Sequence, residues 1–284
     1  MKQYFAQRPL FIILVVIAVT VIIFTLNVFQ TRNLKIVFLD VGQGDATLII
    51  TPHGRQILID AGASSSSIGG SLARYMNASD RSLDMVIMTH PDLDHVGGVL
   101  SLIDDYRIDR LMHSGLLAGS SVYEAIALRS VKKNIPIFTA HVGQRIILDA
   151  GVYLDIYSPY AGFESAQAND HSIVMKLIYG NNSVLITGDA SKYIEHDMVQ
   201  SFAGSLQSDI LKIGHHGSQT SSSDEFIETV APEYGVISAG CNNRYGHPHA
   251  DVLARLFRYE LEVLDTCREG DVVFEGDGVL WTRI

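Results

Sequence analysis

Apolar residues run without a charged side chain from Leu10 to Phe29, and beyond that point they fall into short blocks broken by glycine, aspartate, asparagine and serine. A helix as long as the first run reaches about 30 Å, the thickness of a bilayer's hydrocarbon core, so residues 10–29 are predicted to form a transmembrane helix. The later blocks are too short for that and are rich in β-branched residues. Leu34–Leu39, Ala46–Ile50 and Gln56–Ile59 read as strands, with Pro52-His-Gly-Arg55 as a hairpin turn. The run Ser64–Ser67 reads as a loop, followed by a helix over Ile68–Met76, a strand over Met85–Met88, and helices over Val96–Tyr106 and Val122–Lys133. The second half repeats the mixture, with strands near Arg145–Leu148, Tyr153–Tyr157, Ile173–Ile178, Ser183–Thr187, Ile210–Ile213 and Gly235–Ser238. Two β-rich halves with helices between them imply two sheets packed face to face with helices outside. Polar clusters follow the strand ends, which places a site along one edge of that sandwich.

The flanks of the first apolar run refine its reading. Lys2 and Arg8 precede it, Arg32 and Lys35 follow, and no small-x-small cleavage pattern appears in Leu26-Asn-Val-Phe-Gln-Thr-Arg32. An uncleaved anchor is expected. The short basic tail favours the N-terminus inside and the rest of the chain outside the cytoplasm. The expected organisation is a tail at 1–9, an anchor at 10–29, a linker at 30–34 and one folded domain at 35–284, on a cell membrane crossed once. Beyond the anchor the chain carries 19 basic against 31 acidic residues, a net charge of −12. Proteins that grip nucleic acid usually present a basic surface, so this balance weighs against a nucleic-acid partner unless a local basic track or bound metal offsets it. Cys241 and Cys267 are expected to be two separate core thiols, with one disulfide as the alternative.

The chemistry concentrates in a few places. His90-Pro-Asp92-Leu-Asp94-His95 puts four potential metal ligands in six residues directly after a buried strand. His90 and Asp92 alternate and face one way, while Asp94 and His95 reach a neighbouring point, so the layout suggests two ions. Asp60 ends a strand and is expected to accept hydrogen bonds from the ligand loop. Asp189, behind Gly188, is placed to bridge two cations. His215 and His216 are adjacent, so one can bind metal while the other faces substrate. His247 and His249 precede a helix and suit contact with an anion. The cluster Asn169-Asp170-His171 is either a source of one more ligand or a polar loop. His53, His113, His141 and His196 read as surface or structural residues.

In this order the clusters resemble the metallo-β-lactamase superfamily: a strand-end Asp60, then His90-Pro-Asp92-Leu-Asp94-His95, then Asp189 after Gly188, then His216. Asp40-Val-Gly-Gln43-Gly-Asp45-Ala46, Thr89–Gly98, Leu211-Lys-Ile-Gly-His-His-Gly-Ser218 and Tyr245-Gly-His-Pro-His249 are further similar to the ComEC-like branch, the hydrolase domain of competence DNA-uptake channels. Two positions depart from the superfamily pattern: Asp92 stands in place of its second histidine, and Ala168 in place of the third-motif histidine. Asn169, Asp170 or His171 is the candidate substitute there. A third difference is one of scope, because one anchor and one domain do not carry over a channel role.

The resemblance implies an α/β fold, a four-layered αβ/βα sandwich, here preceded by one transmembrane helix. It also implies hydrolysis at a dinuclear site. His90, Asp92 and Asp189 would hold one divalent ion, and Asp94, His95, Asp189 and His216 the other. His215 and His247 would contact phosphate, one of them protonating the leaving oxygen. Asp40, Gln43 and Asp45 would shape the floor. Asp92 makes the site richer in oxygen and tilts it from Zn2+ toward Mn2+. DNA, cut as part of DNA-uptake machinery, is the implied substrate. A cell-envelope phosphodiester, another ester or lactone, and a non-catalytic anchored binding module remain alternatives.

Overall fold

The computed structural model describes residues 12–13, 15–19, 33–63, 65–77, 79–116, 121–163, 165 and 167–284. Two compact units emerge, Met1–Arg32 and Asn33–Ile284. In the first, residues 12, 13 and 15–19 are helical and exposed. Most of the anchor expected at 10–29 lies outside the described residues, and among those described no helix is long and apolar enough to cross a membrane.

The second unit lays down β1 (Leu34–Phe38), β2 (Thr47–Ile50), β3 (Gln56–Ile59), β4 (Ser82–Leu83), β5 (Met85–Met88), β6 (Arg107–Ile108), β7 (Leu111–His113) and β8 (Ile137–Thr139). It continues with β9 (Arg145–Asp149), β10 (Val152–Ser158), β11 (Val174–Tyr179), β12 (Asn182–Ile186), β13 (Ile210–Lys212), β14 (Tyr234–Ile237) and β15 (Glu262–Asp265). It closes with β16 (Val272–Gly276) and β17 (Trp281–Arg283). One sheet has the order β17-β16-β1-β2-β3-β5-β7-β8 and the other β15-β14-β13-β12-β11-β10-β9, while β4 pairs with β6 alone. The last two strands return to β1 and complete the first sheet, so the two ends of the unit share one layer.

Burial explains why the strands are apolar on both faces. Ile36, Phe38, Leu154 and Val184 meet between the sheets. Val37, Leu48 and Leu58 pack outward against Leu72, Leu102 and Ile126 of the helices on that side. Leu185 and Leu211 do the same against Met198, Phe226 and Val252. Helices on both outer surfaces cover the central strands, which removes from them the alternation of a half-exposed sheet. The result is a four-layered αβ/βα sandwich.

Two local expectations are corrected. The helix expected at Ile68–Met76 runs instead over Ser65–Leu72, so most of the serine run is helical rather than loop. The helix expected over Val96–Tyr106 is broken into Leu93–Val96 and Val99–Asp105. Close packing at the break requires glycine: a Cβ on Gly97 would lie 2.4 Å from the Ala63 carbonyl oxygen, and one on Gly98 would lie 2.2 Å from that of Ala61. The loop after β3 therefore presses against this corner and fixes the ligand helix Leu93–Val96 beside it.

The expectation of separate core thiols is also overturned. Cys241 and Cys267 form a disulfide with Cα atoms 4.9 Å apart, Cys241 being exposed. Parallel pairing of β14 with β15 brings the segments that follow both strands together, an adjacency that a separation of 26 residues does not disclose.

Candidate metal centre

The centre lies where β3, β5, β12, β13 and β14 end. Asp60 follows β3 in a left-handed conformation, φ 58°. Its Oδ1 accepts from Thr89 N at 2.8 Å, and its Oδ2 accepts from Thr89 Oγ1 at 2.7 Å. The same Oδ2 lies 2.8 Å from His95 Nδ1. β5 delivers His90, and the short helix after it carries Asp94 and His95. β12 leads into Asp189, whose N–H is held by Ser172 Oγ at 3.2 Å. His215 and His216 follow β13, both with left-handed backbone at φ 49° and 56°. Such conformations are costly away from glycine and persist where surrounding structure enforces them, often at functional sites.

Asp189 is the hub. His95 Nε2 lies 3.3 Å from its Oδ1, while His90, His215 and His216 Nε2 lie 3.8, 3.6 and 3.6 Å from its Oδ2. Asp92 Oδ2 is 3.6 Å from His90 Nε2, and Asp94 Oδ2 is 3.2 Å from His216 Nε2. The ring centroids of His90 and His95 are 4.1 Å apart, and those of His95 and His216 5.3 Å apart. Asp45, His95, Asp189 and His216 form a buried group whose nearest ligand atoms all lie within 4.8 Å of one another.

Hydrogen bonding tests whether these residues fit a metal. His95 Nδ1 faces Asp60, His216 Nδ1 faces the Ser238 carbonyl at 2.9 Å, and His90 Nδ1 faces Thr89 Oγ1 at 3.1 Å. The opposite nitrogen, Nε2, of all three rings is buried without a hydrogen bond, as is Asp189 Oδ1. Buried polar atoms are rarely left so. Three imidazoles held from behind, each with a bare nitrogen directed at one carboxylate, match the way metal-binding histidines are oriented by outer partners. The donor set fits divalent cations.

Asp45 is part of the buried group, and its Oδ1 too lacks a hydrogen bond. Its Oδ1 lies 3.2 Å from His216 Nδ1, and its Oδ2 lies 2.8 Å from Lys212 Nζ. Lys212 is a fully buried lysine whose part in the site the motifs left unassigned; a charged residue closing a buried strand was the available signal. Gln43 accepts from Gly240 N at 3.2 Å and ties the first glycine-rich loop to the segment after β14. Asp40 is exposed and caps its own turn by accepting from Gly42 N at 3.0 Å, so it does not line the floor.

The ambiguous cluster resolves toward a structural loop. Asp170 accepts from Ser165 Oγ and Ser191 Oγ, and His171 lies against Ser165 and the Phe163 ring. Asn169 reaches inward as far as His215, with Nδ2 at 3.3 Å from Nδ1. His249 precedes the helix Ala250–Arg258 and accepts from Gln219 N, which makes it structural. His53, His113, His141 and His196 are engaged by Asp149, Gly115, Val142 and Glu225 respectively, away from the centre.

The charges of the centre are strongly coupled. Burial pushes the Asp189 carboxyl up, but the facing imidazoles of His95, His216 and His90 outweigh it and hold the group well below the usual range. Burial pulls His216 down, yet Asp189, Asp45 and Asp94 raise it to about 10, and His95 is likewise held high by Asp189 and Asp60. His247 goes the other way. Burial and the imidazoles of His215 and His216 lower it to about 4, and burial also lowers His215. Both therefore stand as neutral imidazoles near pH 7, able to donate or accept hydrogen bonds.

Comparison with known proteins agrees with this geometry. The pattern of the metallo-beta-lactamase superfamily matches residues 39–152 and 166–240. The chain is 31% identical over 252 residues to ComE operon protein 3 of Bacillus subtilis (strain 168), covering 83% of this chain and 32% of that protein. It is 35% identical over 240 residues to Recombination protein 2 of Haemophilus influenzae, covering 82% and 28% respectively. The chain thus spans about a third of the length of these relatives. The fold is that of the metallo-beta-lactamase fold protein YhfI from Bacillus subtilis, with a TM-score of 0.58 at 13% identity over 86% of this chain and 100% of that one. With the family pattern lying over the residues that build the centre, the chain belongs to the metallo-beta-lactamase superfamily.

Proposed function

We propose that this protein is a membrane-anchored, metal-dependent phosphodiesterase that cuts DNA. The observation that carries the reading is the convergence of three bare imidazole nitrogens on Asp189. Similarity to competence proteins supports DNA as substrate and DNA-uptake machinery as partner. The uncharged stretch 10–29 supports a single-pass anchor, and the disulfide is in keeping with an oxidising compartment outside the cytoplasm.

In this proposal His90, Asp92 and Asp189 hold one divalent ion, and Asp94, His95, Asp189 and His216 hold a second, as Mn2+ or Zn2+. When bound, such ions supply Lewis acidity toward a phosphate oxygen and ease the deprotonation of water. The protein does the rest by orientation. Asp60 fixes His95 through Nδ1, and the Ser238 carbonyl fixes His216, with Asp45, itself balanced by Lys212, beside the same nitrogen. His215 and His247, less buried than the ligating histidines, offer neutral ring N–H groups to the phosphate from the open side.

The test uses the full chain in detergent, stripped of metal and reloaded with manganese or zinc, with single- and double-stranded DNA and a non-nucleic phosphodiester as substrates. Metal-dependent cleavage of DNA is expected, with activity abolished in Asp94→Ala while the fold is kept. Full activity in that variant would refute the mechanism. Hydrolysis of the non-nucleic ester without DNA cleavage would move the function to the cell envelope. Metal binding without hydrolysis of any substrate would make the protein a binding module.

A further inference from the structure

The segment after β14 carries a second structure that the metal centre does not use. Asn243 organises it: its Oδ1 accepts from Tyr245 N at 3.1 Å and His247 N at 2.9 Å, and its Nδ2 donates to the Gly240 carbonyl at 2.8 Å. The Cys241–Cys267 disulfide pins the start of the segment to the stretch after β15, and His249 pins its end to Gln219. Backbone held at three places is rigid, yet its tip exposes an aromatic ring and a guanidinium. Tyr245 is 49% exposed. Its ring lies stacked on His247, with centroids 5.7 Å apart and planes 20° apart. The Arg244 guanidinium sits over the same ring, 4.9 Å from its centroid, and donates to Tyr245 Oη at 2.8 Å. His247 in turn lies 5.6 Å from the ring of His215 and 6.1 Å from that of His216. His247, Tyr245 and Arg244 thus lead in sequence from beside the metal ligands to solvent, where Arg244 and Tyr245 are exposed.

Nothing in folding requires this. An exposed tyrosine stacked with an arginine beside it contributes little to a core and costs side-chain freedom. The chemistry of these groups does match one ligand. Bases freed from a duplex stack on tyrosine rings and guanidinium planes, whereas paired bases keep their faces against their neighbours. We infer that Arg244 and Tyr245 form a base-stacking subsite that seats a nucleotide of single-stranded DNA next to the phosphate at the metal centre, with Arg244 also facing the backbone. The inference rests on the DNA-directed reading above and deepens it. It also supplies a local attraction for DNA on a chain of net charge −10, because stacking does not depend on the overall charge.

The experiment measures fluorescence anisotropy of labelled oligothymidylate and of an abasic oligonucleotide of equal length, titrated with the full chain in detergent with calcium as the divalent ion. Stacking of one base corresponds to roughly 5- to 150-fold in affinity. The wild-type protein is expected to prefer the base-bearing strand by about tenfold, and duplex DNA to compete weakly. Tyr245→Ala should bring the ratio close to one, Tyr245→Phe should keep it, and Arg244→Ala should weaken binding of both strands. Equal binding of the two strands by the wild-type protein would overturn the inference, as would a preference that survives in Tyr245→Ala. A base preference without metal-dependent cleavage would uphold the subsite and remove the hydrolase reading. DNA cleavage with no base preference would do the reverse.

Discussion

Stripping the metal from this centre and restoring it at different pH values should reveal a large proton linkage. In the metal-free protein Asp189, Asp45 and Asp94 raise His216 to about 10, so it is imidazolium at pH 7.5, and Asp189 and Asp60 shift His95 in the same direction. A metal ligand must be a neutral imidazole, so loading the position at His216 expels a proton. For His216 the difference between pH 7.5 and about 10 corresponds to roughly 3 kcal/mol. Apparent affinity should therefore rise with pH, about tenfold per unit for each proton displaced. The metal-free fold responds with the opposite sign. His216 has a folded pKa above its unfolded value of about 6.5, so its contribution is fully present below that pH and is lost as pH rises through about 10. Asp189 and Asp94 are depressed, so their contribution is present above the unfolded pKa of about 3.8 and is lost as pH falls below it. Calorimetric titration with manganese or zinc in two buffers of different ionisation enthalpy counts the protons, and melting of the stripped protein from pH 5 to 10 follows the stability. Loading at pH 7.5 that releases no proton, with an affinity flat in pH, would refute the reasoning.

Two substitutions test the framework around the centre. A Cβ on Gly44 would lie 2.2 Å from the Asp94 carbonyl oxygen, and Asp45 N donates to that same oxygen, so Gly44→Ala should displace Asp94 and weaken metal binding. Gly42→Ala is the control, since it also has positive φ but meets nothing within 4 Å; equal loss of metal affinity in the two variants, read by titration, would count against the steric argument. Asp60→Asn removes the carboxylate behind His95 and should cost roughly 10- to 100-fold in metal affinity, as for outer partners of metal-bound histidines generally; a wild-type titration curve would show that Asp60 only shapes the turn.

The strands that flank the centre were legible because helices cover both sheets, so β1, β3, β5, β12 and β13 each stand out as an apolar block ending at a polar cluster. Apart from β16, which is buried between β17 and β1, the strands outside that reading are short or lie at edges. β8 is exposed along its whole length, and β17 carries Thr282 and Arg283 in solvent, so neither bears the pattern of a buried strand. Asp60, His90, His95, Asp189 and His216 could be picked out from residue type and order. The roles of Asp45 and Lys212 could not, because each acquires its function from the other across 167 positions of chain. The same limit applies to Asp170, which carries the right atoms for a ligand but turns them to Ser165 and Ser191. Pairing of Cys241 with Cys267 likewise waits on the adjacency of β14 and β15.

Charge ties the two halves of the proposal together. Asp45 is matched by Lys212, and Asp60 is engaged by Thr89 and His95, so neither presents negative charge to the open side. Asp92, Asp94 and Asp189 do, and their charge alone would repel a phosphodiester. Divalent ions in the positions proposed would more than cancel these three carboxylates and turn the same surface into an acceptor for anions. A chain of net −10 then needs no basic groove to attract DNA phosphate at the centre, only the ions themselves, and the residual specificity for a nucleic acid falls to groups that read something other than charge. Tyr245 beside Arg244, outside the ligand shell but joined to it through His247, is where the structure puts such groups.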